Sequence, residues 1–462
     1  MTADQILALG PELAKFLEEF ADCFVRSEPR GHLADYVRGQ LSDLPHKCVE
    51  PIADFAGIKP RTLQEFLNTD QWHHAKLRGH VQRIIARDHA DPQAIGIIDD
   101  SGHPKKGCKT ACVSRQYCGN TGKVDNCVVT VHLSFASFDT RFRAMLDSTP
   151  YLPQGGWDDP QRREEAGIPD EVRYRPKYDI ALEQLDGALA SGMRFSWLTF
   201  DEWYAEKPKF LAGLEQRGQR YIAEVPRNFP GWLFCPENVD QSPKRVDNLC
   251  RFSRPMMRQA WTRFYVKETQ KGPMIWEAKA APFWLRRDGQ ILGPYWLIVV
   301  RNVRDPNEMK YFLSNAAAGT PLEVLLHVGF ARWPIERCLQ DEKSKLGLSD
   351  FEVRKYQSVL RHLLITQVSH LFLARGTSQL REKKSRDHDL PGPRRVQRVD
   401  RRAALASQSS TRTTNSCRAD PYANPGPQHQ RPSLPHQNSL GKTQPNEHHA
   451  RAPTLLHTTV IG

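Results

Sequence analysis

Residues 93–99 read QAIGIID, a short apolar run that ends in an aspartate. A run of this length and composition, bounded by polar residues, predicts a buried β-strand. Four further segments continue the pattern as two strands, an amphipathic helix and another strand: CVVTVHLSFAS (127–137), RFRAMLDSTPYL (141–152), KYDIALEQLDGALASG (177–192) and FSWLTFD (195–201). The sequence therefore predicts a sheet whose strands come in this order, with one helix before the last of them.

Three strands, a helix and a strand is the order of an RNase H-like core, a mixed sheet in which the first and fourth strands are neighbours. Residues 221–315 contain further strand signals, separated by turn-like breaks such as KGP and RDG. The predicted fold class is α/β. It consists of an RNase H-like mixed sheet with a β-rich insertion, preceded by an N-terminal helical domain.

Five regions follow from the changes in periodicity and composition along the chain. The helical N-terminal region is rich in Arg, Lys and His, which predicts a DNA-binding domain; an ordinary helical cap on the next domain is the alternative. The end of the chain is rich in Pro, Ser, Gln, His and Arg and poor in aromatic residues, which is typical of disorder. The predicted regions are helical 1–90, RNase H-like core 91–220, β-rich insertion 221–315, C-terminal core helices 316–376 and disordered basic tail 377–462.

The charge of the chain indicates what it binds. Its 462 residues carry a formal net charge of +12, which favours association with a polyanion such as nucleic acid. No apolar run approaches the roughly 18 to 20 residues that a membrane helix needs, and the first residues have no secretion-signal pattern. We therefore expect a cytoplasmic protein that is not associated with a membrane.

Three acidic residues occupy positions that a phosphodiester-cleaving site would use. Asp99 and Asp201 end the first and fourth predicted strands, which are neighbours in an RNase H-like sheet, and Glu336 lies in a helix after the insertion. Three converging carboxylates suit two Mg²⁺ ions about 4 Å apart, which would activate a nucleophile and stabilise the leaving oxygen. Taken singly, each acid is more typical of a turn, a helix cap or a solvated helix. Asp100 is the alternative to Asp99, because only one of two neighbours in a strand faces a given side.

The predicted helix around Glu336 carries two cations on the same face. Arg332, Glu336 and Lys343 are spaced so that they form one stripe, and the cations could contact phosphates beside a carboxylate-bound metal. Simple Arg–Glu pairing along a helix is the alternative interpretation. Glu342 is a weaker candidate for the third acid because it lies off this stripe.

The segment RWPIERCLQDEK (332–343) resembles the catalytic helix of the DDE transposases of bacterial insertion sequences. Their signature spaces Tyr, Arg, Glu and Lys in a fixed pattern, and the last three fall on Arg332, Glu336 and Lys343. The Tyr position is Gly329, which departs from the pattern. IDDSGHPKKG (98–107) and FDEWYAEKPKF (200–210) are similar to the regions of the first two acids in these enzymes.

This resemblance implies a function. It implies an enzyme that binds the terminal inverted repeats of its element and uses Mg²⁺ or Mn²⁺, as two ions, to nick the DNA and transfer strands to target DNA. It also implies double-stranded DNA as partner and a homodimer when assembled on that DNA. Basic residues near the first acid are predicted DNA contacts, with a solvated loop as the alternative: Lys105, Lys106, Arg115 and Lys123.

Two other functions fit much of the same pattern. An RNase H-like nuclease would use the same metals without strand transfer. A transposase-derived protein that binds DNA but no longer cleaves it would be consistent with the glycine at position 329.

Overall fold

The computed structural model describes residues 3–269 and 272–387. Five helices form the N-terminal region: α1 Ala3–Glu18, α2 Ser27–Leu41, α3 Val49–Ala56, α4 Pro60–Asn68 and α5 His74–Asp88. Helix α4 begins at Pro60, whose fixed φ and missing N–H suit the first turn of a helix. Helix α3 ends at Gly57, which has a φ of 68° and so adopts the left-handed conformation that glycine reaches without strain.

The middle of the chain alternates strands and helices: β1 Ile95–Pro104, β2 Ser114–Cys118, β3 Lys123–Ala136, β4 Arg143–Pro150, α6 Pro160–Glu165, α7 Lys177–Ala190, β5 Trp197–Phe200, α8 Glu202–Ala205, α9 Pro208–Gln216 and β6 Tyr221–Val225. On one side of β1, β3 pairs with β1 and β4 pairs with β3, both antiparallel. On the other side, β5 pairs with β1 and β6 pairs with β5, both parallel. The order β4-β3-β1-β5-β6 is that of an RNase H-like sheet. The predicted fold class is confirmed, and β1 and β5 are neighbours as the sequence predicted.

The range 221–315 extends this sheet. It contains β6 and then β7 Pro230–Gly231, β8 Lys244–Arg245, α10 Val246–Phe252, α11 Arg254–Arg258, β9 Thr262–Thr269, β10 Gly272–Arg287, β11 Gln290–Asn302 and β12 Met309–Ser314. Strand β12 pairs with β6, and β11, β10 and β9 follow outward, giving a ten-stranded sheet among the described residues. The sheet of the insertion is thus continuous with that of the core.

Three helices close the described part of the chain: α12 Leu322–Phe330, α13 Trp333–Lys345 and α14 Tyr356–Asp387. Helix α14 runs past residue 377, where the predicted tail begins, because Leu380, Arg381 and their neighbours are good helix formers. The boundary of the tail is therefore corrected for residues 377–387, and the rest of the predicted tail lies outside the described residues. None of the described helices is long and apolar enough to cross a membrane.

The sheet separates two layers of apolar packing. Ile98 of β1 packs with the N-terminal helices, α7 and α14, whereas Ile95 and Ile97 pack with α12 and α13 on the opposite face. Successive residues of a strand point to opposite faces, so the two layers can be followed along β1 residue by residue.

The N-terminal helices are joined to α14 by buried polar contacts. The Tyr36 hydroxyl lies 2.8 Å from Nδ1 of His362, and the Gln40 side-chain amide donates to the Thr366 hydroxyl over 2.8 Å. Buried polar groups cost free energy unless they are paired, so these contacts fix how α2 lies against α14. Helices α1 to α5 therefore share a core with one face of the sheet.

Lys47 provides a measurable link between the N-terminal region and α13. Its buried ammonium donates to the backbone carbonyls of Gln40 at 2.8 Å, Ser42 at 2.5 Å and Lys345 at 2.5 Å. In Lys47→Met these carbonyls lose their partner, and we expect the free energy of unfolding to fall by about 2–4 kcal/mol in urea denaturation. The exposed Lys59 provides the control, since Lys59→Met should leave the value nearly unchanged. Equal stabilities for the two variants would contradict this role.

Candidate active site

Asp99 and Asp100 lie inside β1 and not at its end. The strand continues to Pro104 because β3 runs beside it, with His132 opposite Asp99. On the other side of β1 the parallel pairing with β5 stops at Ile97. The sequence-based placement of Asp99 at the strand end was therefore wrong. Asp99 and Asp100 do lie just beyond the part of β1 that pairs with β5.

The two aspartates face opposite sides of the sheet. Asp99 follows the alternation of Ile97 and accepts a hydrogen bond from Nη1 of Arg332, just before α13, over 3.1 Å. Asp100 faces α7, where Nζ of Lys177 lies 2.7 Å from its Oδ2. Only Asp99 is thus on the side of the sheet that carries Arg332 and Glu336.

Asp201 follows β5 directly and begins the short helix α8. Its Oδ1 accepts a hydrogen bond from the backbone N–H of Tyr204 over 3.2 Å, which is an N-cap contact. The last residue pair between β1 and β5 is Ile97 and Thr199, and Asp99 and Asp201 each follow two residues later, so these two acids leave neighbouring strands at the same level.

Arg332 lies between the first and third predicted acids. Its Nη2 is 3.0 Å from Oε1 of Glu336, while its Nη1 binds Asp99. The Glu336 side chain is 57% exposed, so it has room to move away from this pairing. The guanidinium thus lies between the two carboxylates and neutralises part of their charge.

The electrostatics of the cluster favour a bound cation. Burial raises the pKa of Asp99 to about 7; Arg332 opposes this shift, and the carboxylates of Asp201 and Asp100 add to it. Burial also raises the pKa of Asp201, against the effects of the Tyr204 N–H and of Arg332. Partly buried carboxylates that repel one another bind a hard divalent cation well, because the cation replaces the proton.

The three predicted acids do not form a closed set of metal ligands. Among the described residues, the donor atoms of Asp99, Asp201 and Glu336 do not all lie within 4.8 Å of one another, whereas those of Asp22, Cys23 and His80 do. In that second group burial raises the pKa of the Cys23 thiol to about 12, so the thiol is protonated and a poor ligand. The acids at the sheet have the oxygen donors that Mg²⁺ prefers, and Glu336 would have to turn toward them.

The basic residues predicted to bind DNA differ in accessibility. Lys343 is half-buried near Asp99, and burial lowers its pKa. Lys105 donates to the Ser349 carbonyl over 3.1 Å and lies 3.5 Å from the centre of the Phe351 ring, so its charge is used inside the protein. The remaining predicted contacts are exposed side chains: Lys106, Arg115 and Lys123.

The position of the missing tyrosine points at the sheet. A Cβ added to Gly329 would lie 3.4 Å from Cγ2 of Ile222 and from ring atoms of Phe312. A tyrosine here would have to displace the packing of α12 on β6 and β12. A methyl group would therefore make ordinary contacts here, and only a larger side chain would disturb the packing.

Glu342 is fully buried on the far side of α13. Its Oε1 lies 3.5 Å from Nδ1 of His370. Burial raises the pKa of Glu342 to about 8 and lowers that of His370 to about 4, so both are neutral near pH 6 and the contact is not an ion pair. A carboxyl group shielded from solvent in this way is poorly placed to receive DNA or a metal, which favours Glu336 as the third acid.

The buried carboxyl makes stability depend on pH. Because its folded pKa lies above its unfolded value, the native state holds the Glu342 proton where the unfolded chain has lost it, and stability falls as pH rises from about 4.5 to 8. One such group contributes a slope of about 1.4 kcal/mol per pH unit. Glu342→Gln should flatten the curve by that amount between pH 5.5 and 7.5 in urea unfolding, whereas Glu352→Gln should not. Parallel curves for wild type and Glu342→Gln would show that the carboxyl is not held neutral.

Sequence reasoning missed two residues that lie beside the proposed acids in the fold or in the chain. Lys177 begins α7 and resembles any solvated first-turn residue, yet its ammonium binds Asp100. Trp203 is exposed although tryptophan is usually buried. Its place two residues after Asp201 was the available signal, whereas the contact of Lys177 depends on tertiary structure alone.

Comparisons with known proteins show which family the chain belongs to. A family model described as "DDE superfamily endonuclease" matches residues 19–254, a range that contains Asp99 and Asp201. The chain is 27% identical over 325 residues to a probable transposase for insertion sequence element IS701 from Microchaete diplosiphon, covering 70% of this chain and 76% of that protein. The NurA nuclease from Sulfolobus solfataricus matches structurally with a TM-score of 0.23 and 9% identity, over 59% of this chain and 92% of NurA.

Proposed function

Since this chain belongs to the family of DDE superfamily endonucleases, we propose that it is the transposase of an insertion sequence. It would bind the terminal inverted repeats of its element, cleave the DNA there and join the freed strands to target DNA. The observation that carries the proposal is the cluster of Asp99, Asp201 and Arg332 beside Glu336, at one end of an RNase H-like sheet. The similarity to a probable insertion-sequence transposase supports the same function.

We assign the metal site to Asp99, Asp201 and Glu336. These carboxylates would hold Mg²⁺ or Mn²⁺, as two ions, with Glu336 turning inward from its exposed position. Bound divalent ions supply activation of the attacking oxygen and stabilisation of the leaving oxygen in phosphodiester displacement. Asp201 is held in place meanwhile by its N-cap hydrogen bond to Tyr204.

Arg332 has a second role in this proposal. While it bridges Asp99 and Glu336, it blocks their convergence. A DNA phosphate offers the guanidinium a bidentate partner of the kind that arginine prefers. We infer that DNA binding moves Arg332 from Glu336 to the phosphate and that Lys343 contacts the neighbouring backbone, with Lys106, Arg115 and Lys123 as outer contacts.

Assembly and location follow from the substrate. Both ends of an element must be held together, so the active form would be a homodimer on double-stranded DNA, acting on the nucleoid in the cytoplasm. The net charge of +12 favours this association and predicts that it weakens with salt.

One observation favours a second candidate function. Position 329 is a glycine where the family signature has a tyrosine. A transposase-derived protein that binds DNA but no longer cleaves it would not need that tyrosine.

A plasmid assay separates these functions. The purified chain would be incubated with Mg²⁺ or Ca²⁺ and a plasmid that carries the DNA flanking its gene, and the products would be mapped by primer extension. A transposase gives breaks at the element ends and joined products. Cleavage without joining indicates a nuclease, and bound, uncut plasmid indicates the DNA-binding protein.

A further inference from the structure

A strip of aromatic rings and cations leads away from the candidate active site on the side of α7. It consists of Lys207, Trp203, Lys177, Tyr151 and Tyr174, and it is called the aromatic strip below. None of these residues belongs to the proposed metal or phosphate contacts.

Short distances connect the members of the strip. Nζ of Lys207 lies 4.7 Å and Nζ of Lys177 5.3 Å from the centre of the Trp203 ring. Lys177 is also 5.7 Å from the centre of the Tyr151 ring, and the rings of Tyr151 and Tyr174 are 6.3 Å apart. Two ammonium groups and three rings thus lie next to one another in one row.

Two rings of the strip are open to solvent, and one of its lysines binds a carboxylate. Trp203 is 38% and Tyr174 42% exposed, so flat apolar surface is left uncovered where burial would be favourable. Lys177 binds Asp100, and Trp203 is two residues from Asp201. The acid next to Trp203, Glu202, interacts with Glu224 and Lys310, toward β6 and β12.

Aromatic rings interspersed with cations match one kind of ligand. Every nucleobase can stack on an aromatic side chain, and lysines track the phosphates between successive bases, which is how single strands are bound without sequence preference. A duplex keeps its bases stacked on one another and cannot offer their faces to Trp203 or Tyr174.

We propose that the aromatic strip binds unpaired DNA next to the cleavage site, with bases stacked on Trp203 and Tyr174 and phosphates near Lys177 and Lys207. This inference rests on the proposed function, because DNA cleavage at the carboxylates is what brings a strand end to the strip.

Fluorescence anisotropy of a labelled 20-nucleotide single strand, and of the corresponding duplex, tests the proposal. The full chain is measured in EDTA, so that no cleavage occurs. We expect Trp203→Ala and Tyr174→Ala each to weaken single-strand binding about tenfold, with a change in duplex binding of less than about twofold. Trp203→Phe, which keeps a ring, should recover most of the affinity.

Phe252→Ala is the matched control, because Phe252 is 66% exposed and has the Arg251 guanidinium 5.3 Å from its ring. It should bind both DNAs like wild type. The proposal is overturned if Trp203→Ala and Tyr174→Ala bind the single strand as tightly as Phe252→Ala, or lose single strand and duplex equally. Cleavage by the wild-type chain in Mg²⁺ is measured in a separate assay. If the wild type does not cleave DNA but the two variants still lose single-strand binding selectively, the proposed function is rejected and the strip remains a binding site.

Discussion

Asp201→Asn should reduce DNA nicking at least about a thousandfold while duplex binding stays within about twofold of wild type. The variant loses a metal-binding charge, but an asparagine side chain can still accept the N-cap hydrogen bond from Tyr204. The fold and the basic surface therefore remain, and only the chemistry is removed. Asp201→Ala should nick equally poorly and also lose about 1 kcal/mol of stability with the cap.

Single-turnover nicking of an end-labelled duplex and gel-shift binding measure the two effects. Asp186→Asn is the matched control, because Asp186 is an exposed aspartate on α7 that pairs with Arg217. Nicking by Asp201→Asn within tenfold of wild type would remove Asp201 from the site.

Asp99→Asn and Asp100→Asn should separate the two neighbouring acids. We expect Asp99→Asn to lose nicking at least about a thousandfold, because Asp99 lies on the same side as Arg332 and close to Asp201. Asp100→Asn breaks a contact with Lys177 on the other face and should lower nicking no more than about tenfold. Rates on the same labelled duplex, in Mg²⁺ and in Mn²⁺, provide the comparison.

The reverse order would assign the first metal ligand to Asp100 and place the site on the α7 side. Equal losses would mean that both acids contribute, and the alternation argument would then be wrong.

Periodicity predicted the core of the fold well. QAIGIID and FSWLTFD are apolar runs whose burial on both faces is evident from composition. Helix α7, between β4 and β5, ends as predicted, close to Gly192, which has a φ of 95°. The length of β1 could not be predicted in the same way. Its polar second half is held by pairing with β3, and such pairing is not visible in the local sequence.

The sequence likewise indicated those parts of the candidate site that leave a local signal and missed those that depend on distant residues. Asp99, Asp201 and Glu336 could be proposed from the sequence because strand order and helix spacing leave local signals. The roles of Lys105 and Lys177 depend on residues far away in the chain, Ser349 and Asp100, and local pattern gives no sign of these contacts. Residue type alone cannot distinguish a lysine that binds DNA from one that holds two loops together.

The most direct test of the account is whether the intact chain nicks an end-labelled duplex that contains the terminal repeat of its element, with Mg²⁺ present and with Ca²⁺ in its place. We expect nicks at the element boundary in Mg²⁺ that leave a 3′-hydroxyl, and binding without nicks in Ca²⁺. Tight, specific binding of the repeat with no nick in either Mg²⁺ or Mn²⁺ would contradict the account.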